Sequence, residues 1–325
     1  MKKVLSICLI AVMLVSALAL TGCSGKALKF GAAVYVGTPT VADATADKDG
    51  SGQVDITIAA VSVDNSGKIV ACALDTASST VAFTKDGKAK PATEFKTKYE
   101  QGKDYNMVAY GGATKEWYEQ ADAFASVVAG KTLDEVKALI AEGGKGNDDV
   151  IAAGCTIAIT DFINAVEKAY NAAAESDVTA KDTIKVTAYT EQTNADATAD
   201  KDGSAKVATN VFAGAVDESG KIVAANSDCV EVTFTFTKAG KSTLNTGSAI
   251  VSKKEARENY GMVAYGGAKK EWFEQAAAFD AACIGKTAAE IPALMGEDGK
   301  GVADLQTAGC TVYVSGFVKA ASKIG

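Results

Sequence analysis

The sequence contains no histidine, and Arg257 is its only arginine. The absence of histidine excludes Ser-His-Asp and Cys-His nucleophile systems, together with every metal site that depends on an imidazole ligand. Acidic residues outnumber Lys and Arg by 40 to 33. Proteins that follow a nucleic-acid backbone cluster Lys and Arg on one face, so we do not expect this chain to bind nucleic acid.

Long apolar runs are scarce, and the one that exists lies at the N-terminus. Residues 4–20 are apolar apart from two serines and follow Lys2 and Lys3, which is the layout of a secretory signal. The run ends in Leu20-Thr21-Gly22-Cys23, which resembles a bacterial lipobox. We therefore expect residues 1–22 to be a signal peptide, Cys23 to carry a diacylglycerol lipid, and residues 23–29 to be a tether. The alternative is an ordinary signal peptide with a chance cysteine.

The predicted anchor is consistent with the charge of the mature chain. Residues 1–22 contain two lysines and no acidic residues, so their removal changes the net charge from −7 to −9. Such an acidic body is repelled by an anionic membrane surface, so the lipid on Cys23 must hold it there. We expect an extracytoplasmic protein anchored to the bacterial cell membrane.

The remaining cysteines do not form a disulfide framework. Five are left after Cys8 and Cys23 are set aside, which is an odd number, and the sequence has no Cys-x-x-Cys pair. We predict that at least some of them are buried apolar thiols, namely among Cys72, Cys155, Cys229, Cys283 and Cys310.

After the N-terminal segment, the chain consists of two copies of one repeated unit. Residues 43–51 recur unchanged as 196–204, residues 107–113 recur as 262–268, and residues 153–156 recur as 308–311. The only two tryptophans, Trp117 and Trp272, occupy equivalent Lys-Glu-Trp-aromatic-Glu-Gln strings. A period of more than 150 residues indicates tandem domains rather than a solenoid. The predicted boundaries are domain 1 at 30–171, a linker at 172–183 and domain 2 at 184–325.

Within each unit the hydrophobic period changes from that of strands to that of helices. Residues 54–58 alternate and lead through the turn 64–67 into 68–74, which predicts a hairpin, with a third strand at 80–84 or 233–237. Residues 115–129 have helical spacing, Thr132 begins a capping-box helix, and Phe162 lies in a closing helix. Strands followed by helices predict an α+β fold, with an antiparallel sheet and then helices in each of two tandem duplicated domains.

Three prominent features each have a structural and a functional interpretation. The Asp47-Asp49 cluster resembles the start of a calcium loop, but Ile58 replaces the glutamate at the twelfth position, so we predict a solvated turn before a strand. The glycines of 143–146 match no phosphate-binding motif, and a loop is the better interpretation. Trp117 and Trp272 lie on apolar helical stripes, so we predict core packing rather than flavin stacking.

The Gly-Cys-Thr segments carry a family resemblance. Thr156 and Thr311 each precede an apolar stretch and a closing helix, with Phe162 and Phe317 six residues later. This arrangement resembles the FMN-binding domain of sodium-pumping NADH:quinone oxidoreductases, Rnf complexes and covalently flavinylated electron-transfer lipoproteins. In that family a Ser-Gly-Ala-Thr tetrapeptide presents a threonine to which a flavin transferase attaches FMN. The tetrapeptide here is Ala-Gly-Cys-Thr in both copies.

The resemblance implies a flavin carrier. It places covalent FMN on Thr156 and Thr311, with Gly154, Cys155, Gly309 and Cys310 as the neighbouring cofactor-binding residues. It also implies a flavin transferase and redox partners, with no catalytic residues and no metal. We expect an electron-transfer protein rather than an enzyme, because no general-base constellation can be assembled. The alternative is a non-redox surface lipoprotein, a ligand-binding or interaction module in which the flavin site has lapsed.

Overall fold

The structure is a computed structural model that describes residues 27–92, 94–244 and 250–325. The predicted signal peptide and the lipidation site at Cys23 therefore lie outside the described residues. The fold is α+β, with two antiparallel sheets and several helices, as predicted. None of the helices in the described ranges has the length and apolar character needed to cross a membrane.

The first sheet belongs to the N-terminal half of the chain and has the order β5-β4-β3-β1-β6, with β2 also paired to β3. Its strands are β1 (Lys29–Val36), β2 (Thr40–Ala42), β3 (Gly50–Val63), β4 (Ile69–Phe83), β5 (Ala89–Lys90) and β6 (Ala174–Glu175). The helices of this half are α1 (Lys98–Gln101), α2 (Trp117–Val128), α3 (Leu133–Lys137), α4 (Asp148–Ala153) and α5 (Thr160–Asn171).

The second sheet belongs to the C-terminal half and has the order β7-β8-β9. Its strands are β7 (Thr183–Ala195), β8 (Gly203–Val216) and β9 (Ile222–Phe236). The helices of this half are α6 (Lys253–Ala256), α7 (Trp272–Cys283), α8 (Ala303–Thr307) and α9 (Ser315–Ala321).

The predicted hairpin is confirmed, but each of its strands is longer than the alternation suggested. Gly50 pairs with Phe83 in the first sheet, and the equivalent Gly203 pairs with Phe236 in the second. Residues 80–84 and 233–237 are therefore not a third strand, as predicted, but the ends of β4 and β9. The third strand of each half comes before the hairpin, as β1 and β7.

One difference between the halves has a simple cause. The strand β7 is continuous, whereas the equivalent stretch of the first half is divided into β1 and β2 around Pro39. Proline has no amide hydrogen to donate to the ladder, so a strand is interrupted where proline occurs. Gln192 occupies the equivalent position in the second half.

The two sheets pack face to face and share a hydrophobic core. Alternate residues of β3, such as Ile56 and Ile58, lie in one cluster with Val207 and Val211 of β8. The opposite faces of the same strands bury Val61 and Phe212 under the helices of their own half. The molecule is therefore layered as helices, sheet, sheet and helices.

The segment that joins the halves is packed rather than extended as a free linker. Within residues 172–183, β6 pairs with β1, and Val178 is fully buried. Its carbonyl accepts a hydrogen bond from Leu28 N at 2.7 Å. The joining segment thus adds to the first sheet, and the shared core holds the halves together more closely than a flexible tether would.

The repeated aspartate-rich segment links the two halves reciprocally. Ala44 N donates to Gly240 O at 2.7 Å, and the equivalent Ala197 N donates to Gly87 O at the same distance. Asp43 accepts from Ser242 N at 2.8 Å, whereas Asp196 accepts from Ala89 N at 3.0 Å. The predicted solvated turn before a strand is confirmed. The same turn also joins each half to the segment that follows β4 or β9 in the other half.

Candidate functional site

The candidate threonines lie in the short connection between two helices of each half. Gly154 ends α4 with a φ of 101°, and Gly309 has a φ of 108° at the end of α8. Glycine adopts this left-handed conformation readily, which is why it commonly follows the last residue of a helix. The chain then turns so that the next residue is buried and the threonine after it is exposed.

The lysine that comes just before α2 or α7 lies directly over the glycine of the same half. Lys115 Nζ donates to Ala153 O at 3.0 Å, and Lys270 Nζ donates to Ala308 O at 2.9 Å. A β-carbon on Gly154 or Gly309 would overlap the end of the lysine side chain. The positive φ is what favours glycine here, and the absence of a β-carbon also lets the ammonium group approach the threonine segment closely.

A buried glutamine positions each threonine hydroxyl. Gln120 Oε1 accepts from Thr156 N at 2.8 Å and lies 3.1 Å from Thr156 Oγ1, with the hydroxyl as donor. Gln120 is 1% exposed, and its Nε2 donates to Lys115 O, which fixes the orientation of the amide. Because the hydroxyl hydrogen points to the glutamine, the lone pairs of Oγ1 are directed away from it.

The second half repeats this geometry closely. Gln275 Oε1 accepts from Thr311 N at 2.8 Å and from Thr311 Oγ1 at 3.0 Å, and Gln275 Nε2 donates to Lys270 O. Both threonines are exposed. The same four-residue arrangement of Lys, Gln, Gly and Thr is thus formed twice in the molecule.

The cysteines of the tetrapeptides do not face the threonine hydroxyls. Cys155 and Cys310 are fully buried in the helical cores of their halves, and burial raises the pKa of each thiol to about 11. Both were predicted to adjoin a cofactor, but a group on the exposed threonine would not meet a thiol buried in the core. Their contribution is to the packing beneath the site.

The aromatic residues near the site divide into buried and exposed sets. Trp117 and Trp272 are each 4% exposed and meet Phe162 and Phe317 edge to face, which confirms core packing. Exposed rings occur elsewhere: Tyr313 lies two residues after Thr311 and is 70% exposed.

The identical loops 107–113 and 262–268 adjoin the site. Glu116, which is buried, accepts hydrogen bonds from Met107 N at 2.9 Å and Val108 N at 3.3 Å, and so fixes the base of the first loop. Glu271 does the same for the second loop. The loops present Tyr110 and Tyr265, which are 88% and 91% exposed.

An open pocket lies beside the second threonine. It has a volume of about 590 Å³ and is bordered by Thr311, by the glycine-rich loop at Gly296 and Gly301, and by the start of α8 at Val302. The glycine-rich loop pairs with the segment after the threonine, through Lys300 and Tyr313 in this half and Lys145 and Ala158 in the first. The loop interpretation of these glycines is confirmed, and its role is to form one wall of the site.

Sequence reasoning missed the lysines and glutamines of the site. Lys115 and Gln120 are separated from their partners by 38 and 36 residues, so spacing alone could not connect them. One signal was available: both occur in the string that surrounds each tryptophan, which is retained in both copies. Within the part of the chain that the structure describes, no group of three or more Cys, Asp and Glu residues is arranged to hold a metal ion.

Comparison with known protein families, curated proteins and solved structures gave no match for this chain.

Proposed function

We propose that the protein is a membrane-anchored extracytoplasmic lipoprotein that carries FMN on Thr156 and Thr311 and takes part in electron transfer. The observation that carries the proposal is the duplicated presentation of a threonine hydroxyl. In each half an exposed threonine donates to a buried glutamine and lies beside a lysine that contacts the same short segment.

The hydroxyl geometry suits attachment through a phosphoester. In that step Oγ1 of the threonine forms a bond to the phosphorus of an activated flavin nucleotide, the bond from phosphorus to the nucleotide leaving group breaks, and the hydroxyl proton passes to a base of the transferase. No oxidation state changes. Gln120 and Gln275 accept a hydrogen bond from the hydroxyl and leave the oxygen lone pairs accessible, so they act as positioning residues for a transferase-catalysed reaction and not as its base.

The charge beside the threonine suits the product. A phosphodiester carries a negative charge, and Lys115 or Lys270 is the nearest cation to the tetrapeptide. Charge-assisted hydrogen bonds to phosphate are stronger than neutral ones. The bound flavin would supply the redox chemistry, and the protein would supply attachment, orientation and the local electrostatic environment.

The lipid on Cys23 would hold this carrier at the membrane. Leu28 is buried and hydrogen-bonded to Val178, so only residues 24–27 separate the proposed lipid from the folded body. Five residue steps of extended chain reach at most roughly 18 Å. The folded body that carries the flavins would therefore remain close to the membrane.

A second candidate function is supported by the exposed tyrosine loops. In an interaction module without flavin, Tyr110 and Tyr265 would be the binding elements, because exposed tyrosines on preformed loops are efficient contact residues. Each loop exposes five consecutive uncharged residues, 108–112 and 263–267. Under this alternative the threonines would carry no group.

The deciding experiment is an intact mass, with in-gel flavin fluorescence, on protein purified from its native membrane. One or two FMN phosphoester increments on peptides containing Thr156 or Thr311 are expected. The double variant Thr156→Ala/Thr311→Ala should lose them. Thr307→Ala, which changes a neighbouring exposed threonine of the same pocket, should keep them. Covalent flavin retained in the double variant, or absent from the wild type, would overturn the proposal.

The anchor has a separate test. The variant Cys23→Ala should leave the membrane fraction and gain no diacylglycerol mass. A variant that still sedimented with membranes would contradict the lipid anchor without bearing on the flavin sites.

A further inference from the structure

The two threonine sites share their lysine, glutamine and glycine but differ in the residue two positions after the threonine. Ala158 occupies that position in the first half and Tyr313 in the second. Both residues pair with the glycine-rich loop at an equivalent lysine, Lys145 or Lys300. The backbone is therefore alike at the two sites, and the aromatic ring is the addition.

The ring of Tyr313 has a defined place at the surface. Its Cδ1 would lie 3.5 Å from a β-carbon built on Gly299, so the ring packs across a glycine of the loop that borders the pocket. Lys300 Nζ lies 5.6 Å from the ring centroid. The remaining ring surface is open to solvent, since the residue is 70% exposed.

An exposed ring two residues from the proposed attachment point is suited to a planar ligand. Aromatic rings attract other rings in offset or edge-to-face contact, beyond the contribution of the buried area. The pocket next to Thr311 is open, and a group attached to Thr311 would be kept within reach of Tyr313 by the covalent bond. Ala158 offers no such surface near Thr156.

We propose that the two sites are functionally unequal: Tyr313 is a positioning residue that stacks against the planar ring of the group on Thr311, and the group on Thr156 has no such partner. The proposal rests on the proposed function, and it specifies how the sites of one chain differ. A phenol ring in contact with an excited flavin donates an electron to it and quenches its fluorescence. The flavin on Thr311 is accordingly the dimmer of the two.

The test uses full-length protein from its native membrane with one site removed at a time. Thr156→Ala leaves only the Thr311 site, and Thr311→Ala leaves only the Thr156 site. Fluorescence per bound flavin is measured after the loading of each variant has been determined by intact mass. We expect the flavin on Thr311 to be several-fold dimmer than the flavin on Thr156.

Matched substitutions then assign the difference to the ring. Tyr313→Leu in the Thr156→Ala background should restore the fluorescence, and Ala158→Tyr in the Thr311→Ala background should reduce it. Both changes are at exposed positions, and an unchanged unfolding transition would confirm that each variant is folded. Reduction potentials of the two single-site proteins should differ as well, and Tyr313→Leu should bring them together.

The outcomes separate this inference from the proposed function. Loaded sites of equal brightness, with no response to Tyr313→Leu, would overturn the inference alone. A mass spectrum with no flavin on either threonine would overturn the proposed function and this inference with it.

Discussion

The rings of Phe83 and Phe236 stack on each other, with centroids 4.4 Å apart and planes within 5°. These are equivalent residues, one at the end of β4 and the other at the end of β9, and both are buried. The contact lies where the two sheets meet, so the phenylalanine of each half is buried against the equivalent phenylalanine of the other half. We therefore expect a change at either residue to affect the stability of both halves.

Truncation of either phenylalanine should weaken both halves. Because both rings are fully buried, we expect Phe83→Ala or Phe236→Ala to lower the free energy of unfolding by about 3–5 kcal/mol. The double variant should lose less than the sum by about 0.5–1.5 kcal/mol, which is the range for an aromatic pair. Denaturant unfolding followed by tryptophan fluorescence measures all three values.

Because the halves share a core, we also expect each of these variants to unfold in a single transition. Trp117 and Trp272 lie in different halves, so their fluorescence would reveal two transitions if the halves unfolded separately. Tyr110→Ala serves as the control, and at an exposed position it should change the stability by less than about 0.5 kcal/mol. Two separate transitions would show that the halves unfold as independent domains and that the contact between the sheets contributes little.

The reciprocal fastening of the halves can be tested at a glycine. Gly240 has a φ of 68°, and a β-carbon there would lie 2.7 Å from Lys85 Cα and 2.8 Å from Ala44 Cβ in the other half. Gly130 has a φ of 82° but no atom near its missing side chain. Both substitutions by alanine strain the backbone, and only the first also pushes the halves apart.

We therefore expect Gly240→Ala to destabilise the protein by at least about 1 kcal/mol more than Gly130→Ala, since overpacking costs about 1–3 kcal/mol. Thermal or denaturant unfolding gives the comparison. Equal losses of unfolding free energy would mean that the segments around Lys85 and Ala44 move aside at no cost and that the interface tolerates the added methyl group.

Stability should decrease with rising pH because of Asp75. Burial raises the pKa of this carboxyl from 3.8 to about 6. Hydrogen bonds from Thr97, Tyr99 and Thr76 lower the pKa, but their effect is smaller than that of burial. Between these two values the folded protein binds more protons than the unfolded chain, so stability from this group is present below pH 4 and is lost as the pH rises through about 6.

The measurement is the difference in unfolding free energy between the wild type and Asp75→Asn, followed from pH 4 to pH 7. We expect the wild type to lose about 2–3 kcal/mol relative to the variant, from a shift of roughly two pH units at about 1.4 kcal/mol each. Asp217→Asn should give little change over this range and the opposite sign below pH 4, because a hydrogen bond from Ser219 lowers the pKa of Asp217 below 3.8. A difference that does not change with pH would contradict the assignment to Asp75.

The thiols beneath the threonine sites should resist alkylation. Burial raises the pKa of Cys155 and Cys310 from 9.0 to about 11, and the thiolate is the reactive form. At neutral pH we expect iodoacetamide to label the two peptides at least about 100-fold more slowly in the native protein than in denaturant, from the thiolate fraction alone. Native labelling at the denatured rate would show that the segments around Thr156 and Thr311 open readily.

The hairpins and several helix boundaries followed from local patterns. Alternation in 54–58 placed β3, and the capping box was confirmed, with Thr132 accepting from Glu135 N and the Glu135 carboxylate accepting from Thr132 N. Local signals succeed here because a cap or an alternating face is formed by residues within a few positions of one another. The strand β1 was missed because Gly31 and Ala33 interrupt its apolar pattern, and its partner strand comes later in the chain.

The contacts of the candidate site depended on distant segments. Gln120 reaches Thr156 only because α2 lies against the connection from α4 to α5, and no spacing rule predicts that meeting. The aspartate-rich repeat shows the same limit: its turn was predicted, but its partner lies 199 residues away at Ser242.

By itself the sequence determined that the chain is acidic and free of histidine, that it repeats one unit, and that each unit passes from strands to helices. These properties are fixed by composition and by local periodicity, which require no knowledge of neighbours in space. The tertiary structure decided which faces of the sheets are buried together, which lysine and glutamine accompany each threonine, and that Cys155 is buried while Thr156 is exposed. Those outcomes depend on how the helices and sheets pack, because packing brings residues that are far apart in the chain into contact.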